Sequence, residues 1–351
     1  MTAIRHAAGV DAFLPAGASV ARKAGSLIDT LLDRSIAGGY TNVGYLARRP
    51  LWNAADLAPM TGRVALVTGA AAGLGLAAAL GLARLGASVR LLVRSKERGE
   101  AARAQVSAVA TGGYVAVDAC DLSDLSDVRR YAAELSASVP RLDVLVNNAG
   151  VMTHARTLSP DGIELTFATN VLGPFLLTEL LVALLRAGAP SRVINVSSGG
   201  MYAQRLTVED LQTARGDFDG AAAYARTKRA QVVLSELWAQ RLAGTGIVVH
   251  AMHPGWVDTP GLRDSLPRFH ALVRPFLRTP EQGADTIVWL AAADLPARCS
   301  GRFWHDRRAR PTHLVPWTRE SAADRERLWA ECERLSGADA NAPATSITPE
   351  S

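Results

Sequence analysis

Tyr224 and Lys228 in the segment YARTK stand four residues apart, one helical turn, so their side chains share a face. A phenol, with a reference pKa of ~10, is a poor base at neutral pH. An ammonium beside it favours the phenolate and is expected to lower that pKa toward the working range. The pair can then exchange a proton with an alcohol or carbonyl oxygen while a hydride moves to or from a nicotinamide. Ser198, just past the apolar run 192–196, would hydrogen-bond the same oxygen and fix its position. A lone Tyr-x-x-x-Lys is common on exposed helix faces, so its weight comes from its register with the rest of the chain.

The cofactor for such chemistry is foreshadowed in residues 63–75, RVALVTGAAAGLG. An apolar run of strand length breaks at Thr68-Gly69 and resumes at helical spacing, which makes a glycine pattern a phosphate-binding turn. Gly69 suits the tight turn, Gly73 the approach of a pyrophosphate to backbone, and Gly75 the close packing of helix on strand. The helix start offers free N–H groups and a partial positive charge to the phosphates. Ala71-Ala72 inside the turn provides no side-chain hydrogen bond. After the second strand, Arg94, with Lys96 and Arg98 close behind, stands where an acidic residue would bind an NAD ribose, so NADP(H) is favoured over NAD(H). Asp121-Leu122 follows the third strand, where adenine would lie, although Asp121 suits the N-cap of the next helix equally well. In Asn147-Asn148-Ala149-Gly150, Asn147 is expected to hold two strand ends by side-chain to backbone bonds.

The elements that must position these groups alternate from residue 63 onward. Strands are expected at 64–67, 88–93, 114–119, 144–146, 192–196 and 247–251, and helices at 74–85, 95–110, 125–136, 163–185, 222–241 and 280–293. That alternation predicts an α/β fold: one Rossmann-type domain over 62–315, a doubly wound parallel sheet with helices on both faces. Residues 1–61 form an N-terminal extension, loose over 1–18, with an amphipathic helix over 19–36 that Gly38-Gly39 ends. This helix could pack on the domain, cover a partner subunit or lie on a membrane surface. Residues 255–279 read as a Pro-interrupted lid whose Trp256, Phe269 and Phe276 either line an apolar substrate pocket or form lid core. Residues 302–310 read as a solvated loop, 318–335 as a charged surface helix and 337–351 as a disordered tail.

The chain has 351 residues, 48% of them hydrophobic, enough for a sizeable core. The net charge of +5 is spread along it, which argues against nucleic-acid binding. Three distant cysteines in no metal-ligand spacing, with His250 and His253 read as structural, predict no metal and a reducing compartment. No run of about 18 apolar residues is present. The expectation is a cytoplasmic protein, with the segment 19–36 as its route to any peripheral membrane contact.

Together the residues resemble the short-chain dehydrogenase/reductase family. The likeness runs from about residue 62 to 310 and rests on Thr68-Gly69-x-x-x-Gly73-x-Gly75, Asp121-Leu122, Asn147-Asn148-Ala149-Gly150, Thr169-Asn170-x-x-Gly173, Ser198, Tyr224-x-x-x-Lys228 and Pro254-Gly255-x-x-x-Thr259. It implies Tyr224 as acid/base, Lys228 as pKa modulator and ribose ligand, and Ser198 as oxyanion partner, with Ser197 the fallback. It also implies that Asn170 holds a water linking Lys228 to solvent. Cofactor contacts would come from Thr68, Gly69, Gly73, Leu74, Gly75, Arg94, Asp121, Leu122, Asn147, Ala149 and Pro254, with Val257 and Thr259 at the carboxamide. A homo-oligomer would form through the helices 163–185 and 222–241, contacts that the N-terminal helix could block. Segments such as SSGGM, KRAQVVL and MHPGW place the chain near the retinol-dehydrogenase-like group of that family. The implied function is NADP(H)-dependent interconversion of a carbonyl and an alcohol on an apolar small molecule. The alternative is a catalytically vestigial dinucleotide-binding regulator or scaffold.

Overall fold

The computed structural model of the protein describes Asp29, Leu32 and residues 35–338. The expectations for residues 1–18, for most of the helix 19–36 and for the tail beyond Ala338 lie outside the described residues. Eight strands form one sheet: β1 (Val64–Thr68), β2 (Ser88–Val93), β3 (Val115–Ala119), β4 (Val144–Asn147), β5 (Ser191–Val196), β6 (Ile247–Met252), β7 (Arg302–His305) and β8 (Arg308–Arg310). Their order is β3-β2-β1-β4-β5-β6-β7-β8, all neighbours parallel except the final antiparallel β7–β8 pair. β1, β4 and β5 are buried along their whole length, as strands covered on both faces must be. Helices Gly73–Arg84, Lys96–Val109 and Pro280–Ala292 pack on one face, and Leu125–Ser138, Gly173–Leu180, Gly220–Arg241 and Ala322–Ser336 on the other. This is the doubly wound α/β architecture. The chain leaves β1 toward one edge and returns at β4 beside it, which opens a crevice beyond the carboxyl ends of those two strands.

Four local expectations are corrected. Residues 302–310 are strands β7 and β8, with Phe303, Trp304, His305 and Asp306 buried. The turn between them places Asp306 and Arg307 at positive φ (51° and 58°), which suits a two-residue hairpin loop. The single helix over 163–185 is divided into Leu165–Phe167, a π-helical turn Ala168–Leu172, then Gly173–Leu180 and Val182–Ala187. Pro174, without an N–H, has no hydrogen bond to give the Asn170 carbonyl four residues earlier, which disfavours a regular α-helix there. Gly38 and Gly39 sit inside the short helix Ile36–Tyr40, and Asn42–Arg48 folds back against it. A Cβ on Gly44 would lie 2.4 Å from the Gly38 carbonyl, so that fold-back requires glycine. The C-terminal helix is Ala322–Ser336 and is no free surface helix, because Leu328, Trp329 and Cys332 are buried against the domain.

The N-terminal segment docks through buried charge. Arg48 (2% exposed) bonds Asp29 and Asp306 at 2.7 Å each, and also the Gly39 carbonyl. Arg278 (1% exposed) grips both Asp306 oxygens at 2.6 and 2.8 Å and the carbonyls of Gly39, Thr41 and Pro254. Arg308 and Arg310 hold Asp29 from β8. Asp29 is therefore buried in a network joining the extension to β7, β8 and the end of the 255–279 segment.

Candidate active site

The glycine turn and the β4 loop meet across the crevice. The Thr68 hydroxyl accepts the backbone N–H groups of Asn148 and Ala149, both at 2.9 Å, and Asn148 Nδ2 donates to the Thr68 carbonyl at 2.8 Å. The bridging expected of Asn147 thus falls to Asn148. Asn147 is fully buried and its amide donates to Asn195 and Thr178 beneath the site, because side chains alternate in direction along β4. A Cβ on Gly69, at φ +66°, would come within 3.0 Å of Ala149 Cα, and one on Gly75 within 2.4 Å of the Gly69 carbonyl. Gly73 (φ +54°) lies against the Thr259 methyl, 3.3 Å from where its Cβ would be. The helix Gly73–Arg84 starts after Ala72, whose side chain makes no cap hydrogen bond. Leu74 lies in its first turn. These glycine approaches and uncapped amides fit a dinucleotide pyrophosphate.

Farther along the carboxyl edge, Arg94 is exposed at the end of β2, as are Lys96 and Arg98. Asp121 accepts from the backbone and hydroxyl of Ser123, while Asp124 caps the helix Leu125–Ser138; the N-cap role for Asp121 is overturned. Leu122 is buried, and Gly173 must be glycine because a Cβ there would meet the Leu122 carbonyl at 2.0 Å. Pro254 accepts from Arg278, Val257 is buried in a bridge to Arg278, and Thr259 caps the helix Pro260–Ser265.

Tyr224 and Lys228 sit on the helix Gly220–Arg241, which Asp219 caps by accepting from the N–H groups of Ala221 and Ala222. Of the two adjacent serines, Ser197 is buried and donates to the Lys228 carbonyl at 2.8 Å, whereas Ser198 is partly exposed and its hydroxyl accepts from the Gly200 N–H at 3.2 Å. Lys228 Nζ lies 5.4 Å from the Tyr224 ring centroid and donates to the Val196 carbonyl at 2.8 Å and to Gln231 Oε1 at 3.0 Å. Desolvation by the surrounding walls pushes the phenol of Tyr224, itself only partly buried, up to about 12 against the opposing Ser198 hydroxyl, and burial pulls the Lys228 ammonium down to about 7. The expected lowering of the phenol is reversed here, because burial disfavours the phenolate and disfavours the ammonium beside it as well.

Asn170 occupies the π-helical turn. Its side chain bonds both backbone groups of Val151 and the Thr227 hydroxyl, tying the β4 loop to the helix Gly220–Arg241. Its carbonyl accepts from Gln231 Nε2 at 2.6 Å. Sequence reasoning missed Gln231, although its i+3 spacing from Lys228 was the available signal. His253, read from the sequence as structural, accepts the Gly199 N–H on Nδ1 at 3.0 Å beside Ser198, and its ring packs 4.3 Å from Tyr40. A Cβ on Gly199 would lie 2.7 Å from Tyr40, so the N-terminal segment reaches the wall of the site. His250, with its ring nitrogens on the Pro296 carbonyl and the Arg302 N–H, is structural. In the lid segment Trp256 packs edge-on to Phe269 (5.1 Å between centroids) and against Tyr40, while Phe276 is half exposed and forms no part of a lid core. His154 and Met152 of the β4 loop touch Asp264 and Ser265, so the segment spans the crevice.

The sequence profile described as short chain dehydrogenase matches residues 63–268. The chain belongs to the short-chain dehydrogenase/reductase family. Dehydrogenase/reductase SDR family member 12 of Bos taurus is 42% identical over 299 residues, covering 84% of this chain and 93% of that protein. Retinol dehydrogenase 14 of Mus musculus is 36% identical, covering 79% and 87%. Among solved structures, the RhlG/NADP active-site complex of Pseudomonas aeruginosa is 31% identical with a TM-score of 0.58, covering 69% of this chain and 94% of its own. The short-chain dehydrogenase/reductase assignment makes the chain an oxidoreductase with an NAD(P)-binding fold. Among the described residues no helix is long and apolar enough to cross a membrane.

Proposed function

We propose that the protein is an NADP(H)-dependent oxidoreductase that interconverts a carbonyl and an alcohol on an apolar small molecule. The observation that carries this reading is Lys228 Nζ 5.4 Å from the Tyr224 ring, with the Ser198 hydroxyl close enough to the phenol to oppose the effect of burial on it. NADPH, when bound, supplies the hydride. Tyr224 gives its proton to the substrate oxygen in reduction and takes it back in oxidation. Ser198 holds that oxygen in line, and the Lys228 ammonium offsets the phenolate charge that appears as the proton leaves. Thr68 and Asn148 keep the β1 and β4 ends at a fixed spacing for the cofactor, and Asn170 locks the β4 loop to Tyr224's helix. The Trp256–Phe269 pair and the name of the relative retinol dehydrogenase 14 support an apolar substrate. Screening NADPH oxidation against ketones, aldehydes, retinoids and steroids tests the reading. Tight NADPH binding with no turnover across that panel would favour the vestigial scaffold instead.

Exposed cationic Arg94 at the end of β2 supports NADP(H) over NAD(H). A charge-assisted bond to a phosphate contributes about 1.5–3 kcal/mol, so Arg94→Ala is expected to weaken NADPH binding by about 10- to 150-fold and leave NADH unaffected. Fluorescence titration with both cofactors measures this, and an unchanged ratio would remove Arg94 from the phosphate site.

The helix faces that family analogy assigns to subunit contacts carry the chain's own C-terminal helix. Trp329 packs edge-on to Phe175 and Trp238 (5.0 and 5.7 Å), and Arg325 and Arg241 pair with Glu236 and Glu326. This supports a protein that does not associate through those faces. Trp329→Asp is expected to undock the helix and cause self-association in sedimentation velocity; a variant sedimenting as the wild type does would contradict this.

A further inference from the structure

Gln231 lies where the Asn170 link to Lys228 was expected to be a water. Its amide has two different ends, and each has only one compatible partner. The Asn170 carbonyl requires a donor and receives Nε2 at 2.6 Å; the Lys228 ammonium requires an acceptor and receives Oε1 at 3.0 Å. The carbonyl of Asn170 is available because Pro174, four residues on, has no N–H to give it, and because the π-helical turn at Ala168–Leu172 replaces regular α-helix. Gln231 is 4% exposed and Lys228 3%, so neither bond competes with bulk solvent.

We propose that Gln231 is the positioning residue for Lys228: clamped by the Asn170 carbonyl, its amide oxygen holds the ammonium beside Tyr224. This inference rests on the reading of Tyr224 and Lys228 as the reacting pair.

The test needs no substrate. Lys228 holds its proton less tightly in the folded protein than its unfolded value near 10.5, so the unfolded chain binds more protons between about pH 7 and 10.5. Lys228 therefore makes stability rise with pH through that window. Melting temperature is measured from pH 6 to 10 for the full-length wild type, Gln231→Glu and Gln231→Leu, each also carrying Lys228→Met. A carboxylate at 231 favours the ammonium, so Gln231→Glu should move the onset of the Lys228-dependent rise up by about one pH unit or more, and Gln231→Leu should move it down. Both differences should vanish with Lys228→Met. Variants that keep the wild-type profile, or differences that persist with Lys228→Met, would overturn the proposal. With an identified carbonyl substrate, the Lys228 limb of the kcat–pH profile should shift in the same directions. A protein inert toward every carbonyl would refute the enzymatic reading and leave the melting result standing on its own.

Discussion

Replacing Tyr224 by Phe is expected to lower kcat for carbonyl reduction by about 10²- to 10⁴-fold, the contribution of a positioned general acid. The substitution removes only the hydroxyl. The ring remains beside Lys228, and the packing of the helix Gly220–Arg241 is untouched. NADPH affinity should therefore be preserved, because the glycine turn, Thr68 and Arg94 lie on other elements. Stopped-flow reduction together with NADPH titration separates the two effects. Turnover that survives the change would sink the acid/base role of Tyr224. Loss of cofactor binding along with turnover would instead indicate a collapsed site. Ser198→Ala makes the comparison sharper, since it removes the oxygen-positioning hydroxyl and leaves the proton donor in place, so its loss of turnover should be smaller.

The largest effect on stability is expected from Asp306→Asn. Burial alone would push the Asp306 carboxyl pKa up, but His305, Arg278 and Arg48 outweigh it and hold the group far below the usual carboxylate range. Asparagine keeps the shape and tolerates the left-handed φ of 51°, so the change isolates the charge. It leaves Arg48 and Arg278, at 2% and 1% exposure, without their shared anion. Breaking one side of a buried ion pair costs about 3–5 kcal/mol. Chemical denaturation should show that loss, and limited proteolysis should show the segment around Tyr40 and Arg48 becoming accessible. Because Tyr40 lies against His253 and Gly199, the same variant should lose activity without any change at Ser198 or Tyr224. Unaltered stability would mean that the network contributes only to specificity of docking.

Much of this protein is written in local periodicity. Strand, glycine turn and helix at 63–85, and their repetition along the chain, follow from how apolar residues recur at the spacing of strands and helices. The Tyr224–Lys228 pairing follows from one turn of helix. These features need no knowledge of distant residues, so the sequence by itself determined the doubly wound fold, the position of the crevice and the two groups most central to it.

Tertiary structure decided what local pattern leaves degenerate. Alternation along a strand says that Ser197 and Ser198 point apart, and that Asn147 and Asn148 do as well. Only the packing of the helix Gly220–Arg241 and of β1 settles which of each pair faces the site. Residues 302–310 read as solvated because Arg, His and Asp there are locally indistinguishable from surface charges. Arg48 meets Asp306 across 258 positions of sequence, and that contact is what permits the Asp306 carboxylate to be buried at the hairpin turn. Gln231 was a polar residue on a helix until Pro174 left the Asn170 carbonyl in need of a donor. A lone charge or amide carries no signal of its partner, and the partner, supplied by the fold, determines whether it is solvated, buried or part of the site.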